Sequence, residues 1–214
     1  MFRLYKIQIL YYSLLLIVLY IIISIIYNSS FVTEAYFSQL YDGVLSKTQI
    51  IESFSFVKKW EWGIVLLNVV FVFIKIIFVA TCLYLGLFFF FNQNYPFKIS
   101  FNIAIKAEII FVLFAIVRLI WIGFIHTPES IEEMQIMPLS LMHFFDPTKI
   151  ESWLVYPLNT INVFEVIYIW LLSAMMAVAI NTNFRKAFDL VFVSYGAGLL
   201  LLIVAQMFFI LNNS

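Results

Sequence analysis

Apolar residues dominate five stretches of the chain, at 7–27, 62–91, 102–125, 161–182 and 187–211. A helix that crosses the hydrocarbon core of a bilayer needs about 20 such residues, within a range of roughly 17–25. Each stretch therefore predicts a membrane-crossing helix. The second is too long for one upright span and too short for two, so it should tilt or project beyond the bilayer. The pattern predicts an all-α, polytopic membrane helix bundle with five transmembrane helices. No internal repeat or linker divides it, so residues 1–214 form a single membrane domain.

The segment 137–158 is also apolar in places, but it holds Pro138, Asp146, Pro147, Lys149 and Glu151. A charge near the centre of a spanning helix costs about 2.5–3.5 kcal/mol on insertion scales, which excludes a simple sixth span. Asp146-Pro147 reads instead as a helix start, with aspartate at the N-cap and proline at the first helical position. It predicts a short interfacial helix over 149–156. The first long loop has similar pieces. Ser46 and Gln49 fit a capping box ahead of Ile50, Ile51, Phe54 and Val57 on one helical face. Tyr36, Phe37, Leu40 and Tyr41 share another face, which Asp42-Gly43 ends. Both outer loops thus predict short helices that lie on the membrane or cover the tops of the spans.

Composition supports hydrocarbon as the solvent. Hydrophobic residues make up 64% of the chain and charged ones 11%, against about 45–50% and 25% in soluble domains. Net charge is zero, which gives no electrostatic basis for binding nucleic acid. Cys82 is the single cysteine, so no intramolecular disulfide can form. Arg3 and Lys6 before the first apolar run suggest a signal peptide, but the run exceeds the 7–15 residues of a signal core and no small-residue cleavage site follows. A retained first span is the better reading.

Loop charges give the orientation. One side carries Arg3, Lys6, Lys98, Arg185 and Lys186, with Lys106 just inside the third span and no acid in its loops. The other carries Lys47, Lys58, Lys59 and Lys149 together with Glu34, Asp42, Glu52, Glu61, Glu129, Glu132, Glu133, Asp146 and Glu151. The positive-inside rule makes the first side cytoplasmic. The protein is then expected in the cytoplasmic (inner) membrane, N-terminus inside and C-terminus outside.

Ionisable residues inside spans are the candidate functional groups of a membrane protein. They are Lys75 in the second span, Glu108 and Arg118 in the third, Glu165 in the fourth and Asp189 at the cytoplasmic end of the fifth. Arg118 lies seven residues from the outer end of its predicted span and Glu165 four, so these two are expected to pair. Lys75 can snorkel towards Glu108, and Asp189 can pair with Lys106. The charges either orient helices as ion pairs or line a polar path. Pairing is preferred, because each has an opposite charge at similar depth. His126, Glu129 and Glu132 recur at three-residue spacing, but Pro128 interrupts them, and no metal or cofactor is expected. No metalloprotease, nucleophile-elbow, P-loop or dinucleotide motif is present, which predicts a protein that is not an enzyme. Ser173 and Ala177, and Ser194 and Gly198, are small residues at four-residue spacing that let helices approach closely.

The last third reads Leu158-Asn159-Thr160-Ile161-Asn162-Val163-Phe164, then an apolar run through Trp170, then Asn183-Phe184-Arg185-Lys186-Ala187-Phe188. This resembles the C-terminal part of Yip1-domain proteins, in which a polar lead-in precedes a tryptophan-containing span and a basic turn feeds the last span. The resemblance implies a five-span protein that organises membranes or acts as an adaptor, and it carries over no catalytic residue. Its partners would be the lipid bilayer and other membrane proteins or itself. The alternative is a permease subunit, which should place Lys75, Glu108, Arg118 and Glu165 around one water-accessible cavity.

Overall fold

The computed structural model describes residues 2–41, 45–91, 95–125, 128, 130–146 and 149–213, the side chains of 2–8, 131 and 132 aside. Among these residues the chain is all-helical, with one isolated bridge between Ser140 and Asn162. Helical backbone satisfies its own hydrogen bonds within one segment, the requirement for a chain in hydrocarbon. Four helices are long and apolar enough to cross a membrane. They are α1 (Phe2–Phe31), α4 (Glu61–Phe91), the rod formed by α5 (Phe97–Ala107) and α6 (Ile109–Ile120) with a π-helical end (Trp121–Ile125), and α10 (Phe184–Asn213).

The long second stretch is one unbroken helix of 31 residues, about 46 Å at the helical rise. Ile76, Val79, Ala80, Leu83 and Leu87 form its fully buried stripe at helical spacing. That stripe places α4 at the centre, packed against α1, α5 and α10. Gly86 and Cys82 on α4 meet Ser194 and Gly198 on α10. A Cβ on Gly198 would stand 2.6 Å from Cys82 Sγ, and one on Gly86 would stand 2.7 Å from Ser194 Oγ. The small residues of α10 therefore serve packing inside the chain.

The fourth stretch is shorter than the sequence reading of 161–182. Its helix, α9, covers Val163–Ala179, 17 residues. The polar residues at its ends explain the loss. Asn162 is extended, and its Oδ1 accepts from the Glu165 amide at 2.9 Å as an N-cap. At the other end Asn181 adopts a left-handed φ of 50°, the Thr182 amide donates to Ala177 O and the Asn181 amide to Val178 O. That is a Schellman turn with asparagine in the usual glycine place. Asn183 then caps α10 through the Lys186 amide at 2.9 Å.

The connecting segments carry α2 (Glu34–Leu40), α3 (Lys47–Lys59), α7 (Ile131–Met134) and α8 (Ser152–Thr160). Ser46 and Gln49 form a reciprocal capping box at the start of α3. Asp42, Gly43 and Pro147 lie outside the described residues. The helix predicted over 149–156 is displaced to Ser152–Thr160, with Glu151 and not Asp146 before it. The Asp146 carbonyl closes a single turn to the Lys149 amide, and Glu151 is extended, so the turn cannot continue into the helix.

Gly198→Val should destabilise the protein by about 1–3 kcal/mol through overpacking against Cys82 and Phe78. Gly196→Ala, which meets nothing within 4 Å, should be neutral or slightly stabilising. Thermal unfolding in detergent separates the two outcomes, and equal effects would contradict the inward packing of Gly198.

Candidate functional site

Connectivity sets the depth of every buried charge. Helices α4 and α10 and the α5–α6 rod share one end of the bundle, at Glu61, Asn213 and Ile125. Lys75, Glu108 and Tyr195 lie fourteen, seventeen and eighteen residues from those ends, roughly 20–27 Å along the helices. Glu165 lies at that level too, since Tyr195 Oη donates to its Oε1 at 2.6 Å. Arg118 is seven residues from Ile125, only about 10 Å from the end.

At the deeper level Lys75 Nζ stands 3.1 Å from Glu108 Oε1. The Tyr20 hydroxyl donates to the same oxygen at 3.1 Å, which brings α1 into the cluster. Lys75 Nζ also sits 2.9 Å from the centroid of the Phe111 ring, a cation–π contact. Glu108 falls at the slight break between α5 and α6, where its ψ of −17° tightens the helix and Phe111 N reaches its carbonyl at 3.0 Å. The Glu108 side chain is 1% exposed, while 33% of the Lys75 side chain remains accessible. Tyr168, fully buried, packs its ring against Phe111 and Tyr195 and so lies between the Glu108 and Glu165 pairs.

Arg118 stands apart. Its Nη2 donates to the Met134 carbonyl at 3.4 Å, its Nε is buried without a partner, and no carboxylate among the described residues pairs with it. The expected Arg118–Glu165 pair is therefore corrected. The sequence reading began the fourth span at residue 161 and set Glu165 near the outer end, whereas α9 starts deep in the bundle, level with Lys75. Asp189 is exposed and makes no ion pair among the described residues, and Lys106 Nζ lies 5.3 Å from the Tyr12 ring centroid instead. His126 and Glu129 lie outside the described residues, as does the side chain of Glu132.

A cavity of about 700 Å³ joins the two levels, a size within the roughly 300–1,000 Å³ of ligand pockets. Lys75, Glu165 and Tyr195 line its deep end, and Arg118 lines it nearer the bundle end. Phe78, Phe114, Leu199 and Leu202 form apolar wall between them. Helix α8 packs on α10, and its Val155, Tyr156 and Asn159 close the side that the short α9 leaves open. Asn159 holds this cover in place. Its Oδ1 accepts from the Met137 amide at 2.9 Å and its Nδ2 donates to the Gln135 carbonyl at 2.9 Å. Leu139, at a φ of 58°, brings the cover back to α9 through Val163 N to Leu139 O at 3.1 Å.

The tyrosines are the members of this site that the sequence reading left out. A hydroxyl within an apolar run needs a partner when buried, so Tyr20 and Tyr195 could have been matched to the buried glutamates. No family model matches the chain, and no curated protein or solved structure matches it.

Removing one partner of a buried ion pair typically costs about 3–5 kcal/mol. Lys75→Ala and Glu108→Ala should each destabilise on that scale, and the double substitution should recover much of the second loss. Strict additivity in a detergent unfolding assay would show that the two side chains are not coupled. Tyr195→Phe should cost about 1–3 kcal/mol, because it strips the Glu165 carboxylate of its hydrogen bond.

Proposed function

We propose that this chain is a non-enzymatic integral membrane protein that crosses the inner membrane five times and takes a ligand into the cavity between its helices, as a permease subunit or carrier does. One observation carries the reading: Lys75, Arg118 and Glu165 line a single cavity, and Glu108 joins it through Lys75. A bundle that used its charges only to orient helices would close them off from one another. On this reading α9 completes the fifth crossing together with the segment that leads into it, and that segment thins the bundle on one side to leave room for the cavity. Basic loops hold the N-terminus in the cytoplasm, and the cavity then lies in the outer half of the bilayer.

A second reading is a Yip1-like membrane-organising or adaptor protein. It is favoured by the jobs done by the segments that resemble that family. Asn159 and Asn162 set the junction of α8 with α9, and Asn183 starts α10. The two readings share topology and differ in whether the cavity is occupied.

Single cysteines in a Cys82→Ala background test both parts. A cysteine at Ser30 or Ser214 should react with an impermeant thiol reagent from the outer side alone. Gln206→Cys, on the cavity wall, should react from that side as well, and prior alkylation there should block the cavity. Reaction at Ser214 from the cytoplasmic side alone would overturn the orientation. No reaction at Gln206→Cys would count against an open cavity.

A further inference from the structure

Arg118 is a half-buried cation of the bundle for which the described residues supply no carboxylate. Lys75 has Glu108, and each of the two glutamates has a tyrosine donor. A guanidinium held within an apolar bundle without a counter-charge is costly, and among the described residues its Nη2 reaches one backbone carbonyl while its Nε is buried without a partner. Its planar fork suits a phosphate, which it can grip through two parallel bonds. The surroundings are segregated in the manner of an amphiphile. On the Arg118 side the cavity is lined by Gln135, Asn159 and Thr160, the last two hydrogen-bonded within the chain. Away from it the wall is Phe78, Phe114, Leu199 and Leu202, over roughly 15 Å between the level of Arg118 and that of Glu165.

We infer that the cavity holds an anionic phospholipid, its phosphate on Arg118 and an acyl chain between Phe78 and Phe114 on one side and α10 on the other. This rests on the ligand-binding reading of the cavity and names the ligand. The Lys75–Glu108 ion pair and the Glu165–Tyr195 hydrogen bond close the deep end, so the amino group there has its counter-charge and the Glu165 carboxylate has a donor within the chain. The phosphate end faces the Arg118 level, about 10 Å from the end of its rod, where the long side chain can reach towards the headgroups.

The test is native mass spectrometry of the full chain in a neutral maltoside, incubated with equal amounts of phosphatidylglycerol and phosphatidylcholine of the same chain length. The wild type should retain phosphatidylglycerol over phosphatidylcholine by roughly tenfold: both carry the phosphate, but the choline ammonium of the second offsets the net negative charge that would neutralise Arg118. Arg118→Gln should bring the two to parity, Arg118→Lys should keep part of the preference, and Lys149→Gln, at an exposed cation, should leave it intact. Leu199→Trp should reduce retention of both lipids by filling the wall. The wild-type preference and the Lys substitution keep the test decisive if Arg118→Gln fails to fold. Retention of both lipids in equal amounts, blocked by Leu199→Trp, would overturn the anionic assignment while leaving a ligand-binding cavity. Retention of neither lipid would overturn both. Displacement of phosphatidylglycerol by inorganic phosphate alone would assign the site to a soluble anion and overturn the lipid.

Discussion

Lys75 and Glu108 face each other inside a bundle whose outer surface is almost wholly apolar, and neither could stay charged there alone. Their contact joins α4 to the α5–α6 rod, and the Tyr20 hydroxyl ties α1 to the same carboxylate. The ring of Phe111 covers the ammonium group, and Tyr168 carries the packing on to α9 and α10. Five helices thus meet around one ion pair. Apolar packing between helices gives little direction in hydrocarbon, because lipid tails are as apolar as leucine. A pair with fixed partners and hydrogen-bond geometry supplies the direction that packing lacks.

The cavity follows from that arrangement and from one mismatch in length. Helix α10 has 30 residues and α9 has 17, so α10 runs about 20 Å beyond the start of its neighbour. The short α8 and the turns around Leu139 cover the exposed side without filling it, held by the hydrogen bonds of Asn159. Arg118 projects into this under-filled region with one backbone carbonyl as its protein partner among the described residues. Under-packing and a cation without a carboxylate among the described residues coincide here, and the proposed ligand site rests on that coincidence.

Much of this was legible in the amino-acid pattern. Long apolar runs identify α1, α4, the α5–α6 rod and α10, and the capping box at Ser46 marks α3. The Lys75–Glu108 contact could be expected from charge and position alone. What failed was depth. Ile161 and Asn162 were counted into the fourth span, although Asn162 turns the chain and caps α9, and this error carried Glu165 outward towards Arg118. The loss is physical: a run of apolar residues does not say where its helix starts, and a short polar cap decides it. Tyr20 and Tyr195 went unread because a tyrosine in an apolar run looks like bulk until its hydroxyl is given a partner. The small pair Gly86 and Cys82 went unread because its meaning lies in the facing residues Ser194 and Gly198.

The central claim is that the intramembrane charges face inward around one cavity, with Lys75 on Glu108 and Arg118 left open to a ligand. A structure of the full chain determined from a lipid mesophase, at a resolution that shows side chains, tests it most directly. The expected result is Lys75 in contact with Glu108 and elongated density running from the Arg118 guanidinium along Leu199 and Leu202. Lys75 turned out towards lipid, or Arg118 paired with Glu165 across a closed cavity, would contradict it.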